Sequence, residues 1–505
     1  MRGLLCSCLV MLTLLLTAHG IAMAQRVWEV PGDAAGIQAA VDSSSAGDEV
    51  LVTQTFTENN KVTVNKAVTI TRDDGVTVTI AAGSSDTYAL SITADGAVVE
   101  KLTLKAGSNP YGIVQMFDDS ELRDCVLEDN GNIFTVGAAD VFAGSKLQNC
   151  TFNMTSGQGR VVRICGSTSS ERTEILNNTL NITLTSSGTL SEGIFADGSF
   201  PEVTYSIITG NTITFSGALA SDGVGILLDE EANNTDVTNN TIVNGGDGIE
   251  VAATGATVVT DNVVHNVTRG IRMIQGSGFT VSNNTVVHDA CTSGTDGIRI
   301  ESLVSSNASD FHNNLIENTA YGINFVLTGT PPANWDFDHN AYWTDGGGCG
   351  AGTNKTLTST QLATDKEPIF CGCRESTVQA WTHRIDSEVA KGNNGWEERI
   401  GAFGVECAWD TLLYNATLLG GESALVLEDV IVPSGKTLTL GAGSSLIFDP
   451  DDDSSQGLSG YQGLNELTVS GNLDVNGTSG NLVQFVSSAA SDEGDSIGKP
   501  PPLAA

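Results

Sequence analysis

Apolar residues recur along most of the chain in short alternating runs without helical spacing. The stretch from Asn240 to Asp261 is a compact example, with such runs at Thr241 to Val243, Gly248 to Val251 and Ala256 to Thr260. Alternation of this kind is typical of strands that bury one face. The runs are too short for hairpins joined by two-residue turns. The pattern therefore predicts three short strands in each unit.

Two markers repeat at fixed places in these units. The first is a residue pair whose second members are spaced 22 to 33 residues apart, a period that indicates a solenoid. The pairs are Asp124-Cys125, Asn149-Cys150, Asn177-Asn178, Gly210-Asn211, Asn239-Asn240, Asp261-Asn262, Asn283-Asn284, Asn313-Asn314 and His339-Asn340. The second marker is Gly followed by Ile, beginning at Gly193, Gly225, Gly248, Gly270, Gly297 and Gly322.

Units of three strands, stacked in register, make a parallel β-helix whose rungs lie about 4.8 Å apart. A two-residue corner needs a residue that tolerates a positive φ, and stacked Asn amides can hydrogen-bond along the stack. We therefore predict a structural ladder, without a catalytic role, formed by Asn178, Asn211, Asn240, Asn262, Asn284, Asn314 and Asn340.

The N-terminal stretch predicts a short helix followed by a strand. Ile37, Ala40 and Val41 fall on one helix face, as a cap over the open apolar end of a solenoid requires. With the corners and the Gly-Ile strands, this opening resembles the right-handed parallel β-helix proteins of the pectate-lyase-like superfamily, of the type exported by bacteria. The resemblance covers about residues 27–345. It implies an all-β, right-handed, single-stranded parallel β-helix with an N-terminal capping helix, and no particular activity.

The chain is predicted to have five parts. Residues 1–24 are typical of a cleaved secretory signal. The β-helix spans residues 25–345, and residues 346–410 resemble the Cys-containing closing segment of exported β-helix proteins. Residues 411–490 resemble the start of a second β-helix, either truncated or separately capped, and residues 491–505 are expected to be a disordered tail. We expect a secreted or cell-surface protein whose mature chain does not insert into a membrane.

The chain has 10 cysteines, of which Cys6 and Cys8 leave with the signal, so eight remain. An even number permits disulfides in an exported protein. The resemblance of the closing segment implies a disulfide between Cys371 and Cys407, with pairing to Cys349 or Cys373 left open. Cys125 and Cys150 share the ladder position on adjacent coils, about 4.8 Å apart at Cα, which suits a disulfide. Stacked free thiols are the alternative for this second pair.

Charge narrows the choice of partners. The chain has 23 Lys and Arg against 60 Asp and Glu, a net charge of −37, which argues against nucleic acids and anionic membranes as partners. Polysaccharides and cell-surface glycans stay among the expected partners. No cofactor is expected, although calcium is not excluded. Residues 449–453 could bind calcium, but they lack the spaced ligands of an EF-hand loop, so a solvated loop is the preferred interpretation.

The Gly-Ile strands are expected to carry a field of alternating charge, because the residue after each Ile points outward. Adjacent coils present Asp247 with Glu250, Arg269 with Arg272, Asp296 with Arg299, and Tyr321 with Asn324. Pectate lyases hold calcium with carboxylates and use an Arg as base. The resemblance therefore implies catalytic roles for Arg272 and Arg299 and substrate binding for the other six residues. No catalytic motif of the family surrounds them.

Opposite charges across neighbouring strands also stabilise each other by about 0.2–1 kcal/mol, so a purely structural ion ladder is the competing interpretation. Two functions remain. The first, which we prefer, is an exported non-catalytic β-helix that recognises carbohydrates or surfaces. The second is a polysaccharide lyase or glycoside hydrolase acting on an acidic polysaccharide at the Gly-Ile strands. A face of closed ion pairs favours the first, and an open groove with an unpaired Arg favours the second.

Overall fold

The computed structural model describes residues 25–83, 86–107, 111–117, 119–129, 137–155, 159–167, 170–185, 191–197, 205–230, 232–253, 255–276, 278–301, 308–326, 335–344, 362–363, 383–384, 405–412, 415–448 and 467–487. The predicted signal, the tail, the calcium candidate 449–453 and Cys371 lie outside these residues, as does the side chain of Cys407. The proposed Cys371–Cys407 disulfide therefore stays a prediction.

The main body is a parallel β-helix, as the alternation and the repeat predict. Its strands form three faces, and the pairings are parallel throughout the described residues. The pre-corner face leads into the two-residue corners and has 13 strands. They are Val27–Val30, Glu49–Val52, Thr69–Arg72, Val98–Glu100, Glu121–Arg123, Lys146–Gln148, Glu174–Leu176, Ile207–Thr209, Asp236–Thr238, Thr257–Thr260, Phe279–Ser282, Ser309–His312 and Trp335–Asp338.

The other two faces follow each corner in turn. The post-corner face contains Phe56–Glu58, Val78–Ala81, Thr103–Lys105, Val126–Glu128, Thr151–Met154, Thr179–Thr183, Thr212–Ser216, Asn340–Trp343 and Leu362–Ala363. The Gly-Ile face contains Val62–Val64, Leu90–Ile92, Val114–Met116, Gly137–Val141, Gly159–Ile164, Ser191–Ala196 and Gly223–Leu228. Four longer strands run through both faces: Thr241–Val251, Val263–Met273, Thr285–Ile300 and Leu315–Phe325.

These long strands differ from the expected unit. The sequence predicts a turn between Thr241–Val243 and Gly248–Val251, whereas the structure has one bent strand, Thr241–Val251. Asn244 provides the bend with a φ of 59°. Pairing continues through it, because Gly245 still lies opposite Val267 on the next coil.

The corners confirm the predicted conformation. The first residue of each of the nine pairs has a φ between 50° and 70°, a region that Asn, Asp and Gly tolerate best. The second residue points inward and is buried wherever it is Asn. The chain thus turns from one face to the next in two residues, and one side chain per coil enters the ladder.

The Asn ladder is continuous from Asn178 to Asn340. Each Nδ2 donates to the Oδ1 of the next ladder Asn at 2.8–3.0 Å. Each Nδ2 also donates to a backbone carbonyl of the preceding coil, as Asn262 does to Val237 at 2.9 Å. Because buried polar groups are costly unless bonded, this complete pairing explains how seven amides can be buried in a row.

Two cysteines continue the ladder toward the N-terminus as free thiols. The Cys150 backbone N–H donates to Asn178 Oδ1 at 2.9 Å, and the Cys150 Sγ lies 3.3 Å from the Gln148 carbonyl. Burial, with Cys125 next to it, raises the pKa of the Cys150 thiol. The candidate disulfide between Cys125 and Cys150 is therefore not formed, and the stacked-thiol alternative describes the structure.

The N-terminal cap also agrees with the prediction. The helix α1 spans Ile37–Ser43 and buries Ile37, Ala40 and Val41. It covers the first coil, as the open end of a solenoid requires. In the described part of the chain, no helix is long and apolar enough to cross a membrane.

A second set of parallel strands follows, as the restart of the pattern predicts. One sheet contains His383–Arg384, Val405–Thr411, Ser423–Val432, Ser445–Phe448, Leu467–Val469 and Gln484–Ser487. The other contains Ala416–Leu418, Thr437–Leu440 and Asn472–Val475. The buried apolar residues form two clusters, one from Val30 to Tyr342 and one from Leu412 to Leu446.

Candidate functional site

The Gly-Ile face places the predicted charged residues side by side. The Ile column, including Ile249, Ile271 and Ile298, is fully buried in the core. Alternation turns the residue after each Ile outward, and the residue before each Gly reaches the same side, where Asp247 Oδ2 lies 3.3 Å from Arg272 Nη1. One column pairs Asp247 with Arg269, Asp296 and Tyr321 in register, and the next pairs Glu250 with Arg272, Arg299 and Asn324. All eight predicted residues thus lie on one surface. We call these eight residues and Glu301 the charged patch.

The glycine of each Gly-Ile pair has a packing role. A Cβ added to Gly248 would lie 2.5 Å from the carbonyl oxygen of Gly270 and would also meet the Val264 side chain. The same conflict recurs at Gly225, where the added atom would lie 2.5 Å from the Gly248 carbonyl oxygen. The glycine column lets successive coils approach closely beneath the charged patch.

Arg272 is held by three carboxylates. Its Nη1 lies 2.7 Å from Glu250 Oε2 and 3.3 Å from Asp247 Oδ2. Its Nε and Nη2 donate to the two oxygens of Glu301 at 3.1 Å and 3.0 Å, a bidentate pair of the strong kind. Four of the five N–H donors of the guanidinium are therefore directed at carboxylates of this chain.

Arg269 and Arg299 are also paired. Arg269 Nε donates to Asp247 Oδ1. Arg299 lies 3.0 Å from Asp296 Oδ2 and 2.6 Å from Glu301 Oε1, and Asn324 Nδ2 donates to the other Asp296 oxygen at 2.8 Å. The patch is consequently a connected network of three guanidiniums and four carboxylates.

The electrostatics follow from this arrangement. Although burial opposes it, ion pairing with Glu301 and the other carboxylates raises the pKa of Arg272 above its ordinary value. Burial and the neighbouring Asp247 raise the pKa of Glu250 to about 7, against the attraction of Arg272. Burial also opposes ionisation of Glu301, yet hydrogen bonds from Arg272 and Arg299 lower its pKa on balance. A general base must be able to lose its proton, and this environment holds the proton on Arg272.

Glu301 is the member of the patch that the sequence analysis missed. It lies three residues beyond Ile298, so strict alternation already turns it outward at the end of the strand. The sequence prediction includes Arg299, the preceding outward position, but not Glu301. Extending the alternation by two residues would have found Glu301.

A second buried charge cluster lies on earlier coils of the same face. The Tyr88 hydroxyl donates to Asp140 Oδ2 at 2.8 Å, and Arg163 Nε lies 3.3 Å from Asp140 Oδ1 and 3.0 Å from Cys165 Sγ. Burial raises the pKa of Asp140, and it raises that of Cys165 to about 12. Cys165 therefore stays a neutral thiol at physiological pH.

Nearby, the Arg160 guanidinium carbon lies 3.8 Å from the centre of the Phe195 ring, a cation–π contact. Arg160 also reaches Asp197 at 3.5 Å. The sequence did not reveal this second cluster because the strands that carry Asp140 and Arg163 have no Gly-Ile marker. The strand register could have revealed the cluster, because Asp140 and Arg163 lie in the same column as Glu250 and Arg272 on later coils.

The fold and this face define the chain as a parallel β-helix repeat protein. Residues 205–331 match the family model described as "Periplasmic copper-binding protein (NosD)", so the similarity to that family covers about a quarter of the chain. No curated protein matches the sequence at a significant level.

Solved structures with a similar fold include polysaccharide-related β-helix proteins. A PL6 alginate lyase in complex with a trisaccharide is 12% identical over 75% of this chain and 95% of its own, with a TM-score of 0.42. Pectate lyase Pel9A is 14% identical over 77% and 98%, with a TM-score of 0.36. A tailspike protein mutant of E. coli bacteriophage HK620, in complex with a pentasaccharide, is 13% identical over 86% and 73%, with a TM-score of 0.38.

The family description raises the question of copper. Copper binds best to imidazole, thiolate and thioether ligands. In the matched stretch, His265 Nε2 lies 2.8 Å from Asp289 Oδ1, and burial lowers the pKa of His288. No group of three His, Cys, Asp or Glu side chains is placed to bind one metal ion anywhere in the described ranges. The described residues do not fit a copper site.

Proposed function

We propose that the chain is an exported, non-catalytic β-helix scaffold that recognises carbohydrates or surfaces. The observation that supports this proposal is the pairing of Arg272 with Asp247, Glu250 and Glu301 at the same time. A lyase base or uronate clamp needs an Arg that can turn to the substrate. Here Arg272 or Arg299 would first have to break ion pairs with carboxylates that are between 2% and 21% exposed. Breaking such pairs costs several kcal/mol.

The recognition part of the proposal rests on the composition of the surface. The chain is strongly acidic, which disfavours nucleic acid and anionic membranes. The charged patch has four carboxylates against three guanidiniums, so it offers no surplus cation to a polyanion. Tyr321 and Asn324 lie at its C-terminal margin and provide an aromatic ring and an amide, groups that suit neutral sugars.

Eliminative cleavage is the test that separates the two functions. The purified chain should release no ultraviolet-absorbing unsaturated product from polygalacturonate or alginate, with or without calcium. A calcium-dependent rise in absorbance that is lost in Arg272→Ala or Arg299→Ala would establish the lyase instead. Arg123→Ala is the matched control, because Arg123 is ion-paired to Glu100 at 2.6 Å on a different face.

A further inference from the structure

A second polar surface lies on the post-corner face, away from the charged patch. Three consecutive coils place Thr and Asn side chains in register on its outer side, with Thr151 above Thr179 and Thr212, and Asn153 above Asn181 and Thr214. The residues between them, Phe152, Leu180 and Ile213, are fully buried. We call these six outward residues the hydroxyl-amide grid: Thr151, Asn153, Thr179, Asn181, Thr212 and Thr214.

The grid differs from the surface on either side of it. On the preceding coils the same face carries Lys105 and Glu128, whose charged groups pair at 2.9 Å. On the following coils the column continues into Val243 and His265, which are only 7% and 5% exposed. The grid is therefore an accessible and uncharged area on a chain whose net charge is −37.

The side chains of the grid are ordered by the fold. Rungs lie about 4.8 Å apart and outward residues about 6.6 Å apart along a strand. Asn181 Nδ2 donates to Asn153 Oδ1 at 3.0 Å, and the hydroxyls of Thr183 and Ser216 at the edge of the grid lie 3.0 Å apart. Threonine is restricted at χ1 by its branched Cβ. Little side-chain entropy remains to be lost when a ligand binds.

The chemistry of the grid selects a class of ligand. Hydroxyl and amide groups both donate and accept hydrogen bonds, which matches the hydroxyls of a sugar, and the Thr methyl groups suit its C–H faces. None of the six residues is charged, so a uronate carboxylate would find no cation there. We propose that the grid binds an extended neutral polysaccharide lying across the three coils. This inference rests on the proposed carbohydrate recognition and assigns it to a second face.

Affinity electrophoresis in native gels tests the assignment. The probes are laminarin, galactomannan and xyloglucan as neutral polysaccharides, with polygalacturonate as the acidic one. We expect at least one neutral probe to retard the wild-type chain and polygalacturonate to have no effect. The double variant Asn181→Leu with Thr214→Val keeps side-chain shape and removes hydrogen bonding, and should weaken binding at least tenfold.

Two controls keep the result interpretable. Thr280→Val makes the same change at an outward position of the pre-corner face and should bind like the wild type. The thermal unfolding midpoint of every variant is measured, and if the double variant unfolds, Thr214→Val alone and Asn153→Ala replace it.

Several outcomes would overturn the assignment. They are the absence of retardation by every neutral probe, equal retardation of the grid variants, or retardation by polygalacturonate alone. Retardation that is lost in Arg272→Ala and kept in the grid variants would overturn the grid and support recognition at the charged patch. Lyase activity, by contrast, would refute the proposed function without bearing on the grid.

Discussion

At the residue scale, the two positions of each corner have separate roles. The first takes the left-handed backbone conformation, which is adopted by Asn, Asp and Gly and, at one corner, by His339. The second supplies a buried side chain that must both donate and accept. Asn meets this requirement because its amide carries two donors and one acceptor group, and Cys125 and Cys150 fill the position with weaker partners.

The ladder makes a sharp prediction for Asn262→Asp. The Nδ2 of Asn262 donates to Asn284 Oδ1 at 3.0 Å and to the Val237 carbonyl at 2.9 Å. A carboxylate cannot donate, so these acceptors would face a buried negative charge. We expect a loss of about 3 kcal/mol in unfolding free energy, measured by denaturant titration at pH 7. Asn153→Asp is the exposed control and should change stability little. Equal stability of both variants would contradict the ladder.

Glu250 and Glu301 should respond to pH in opposite ways. The raised pKa of Glu250, about 7, means that its contribution to stability is present below its unfolded-state pKa and is lost as the pH rises through 7. The lowered pKa of Glu301 means that its contribution is present above the unfolded-state pKa and is lost in acid.

Unfolding titrations at pH 5 and pH 8 distinguish the two residues. At pH 8, Glu250→Gln should be more stable than the wild type, on the order of 2 kcal/mol, and the difference should shrink at pH 5. Glu301→Gln should be less stable than the wild type at pH 8. If both variants had the same pH profile of stability, the opposite pKa shifts of Glu250 and Glu301 would be contradicted.

At the scale of the element, the charged patch depends on strands that hold their register across coils. Asp247, Arg269 and Asp296 meet because their strands pair residue for residue at that point. The pairing between Val263–Met273 and Thr285–Ile300 shifts between His265 and Arg269, yet it recovers before the patch. Extra residues are thus accommodated in the bend, and the Gly-Ile face keeps its spacing.

Arg272→Ala tests the structural role of the patch. The sequence interpretation placed the pairs at the surface, where loss of a partner costs about 1 kcal/mol or less. The structure buries Asp247 to 2% exposure and Glu250 to 13%, so removal of Arg272 leaves a poorly solvated carboxylate cluster. We expect a loss of about 3 kcal/mol by denaturant unfolding. Lys105→Ala, whose partner Glu128 is 37% exposed, should cost much less, and equal losses would argue against burial as the cause.

At the scale of the whole molecule, the two apolar clusters have no buried residue in common. Stability in a solenoid is approximately a sum of neighbouring coil interfaces, so each cluster should respond to its own substitutions. Ile271 and Leu438 are both buried to 1% exposure or less, one in each cluster.

Calorimetry should therefore resolve two thermal transitions. Ile271→Ala should lower one midpoint and Leu438→Ala the other, each with a loss of about 2–5 kcal/mol in its own transition. A single transition that moves in both variants would show that the clusters unfold as one cooperative unit.

Local rules were enough to derive the fold from the sequence. Alternation with period two decides which residues point inward, and a positive φ at one corner residue decides where the chain turns. Both act within a few residues, so the corners, the Asn ladder, the capping helix and the outward position of Arg272 are all predictable from the sequence.

Tertiary structure decided which reactive groups are paired, because this pairing depends on side chains that meet only across coils. Arg272 and Glu301 are 29 residues apart in the chain. This separation does not reveal whether the guanidinium pairs with the carboxylate or is open to a substrate. Rotamers and burial make that choice. The same holds for Cys125 and Cys150, where register permits a disulfide and the structure keeps two thiols. The sequence placed these groups on their coils, and packing between coils determined which of them are paired.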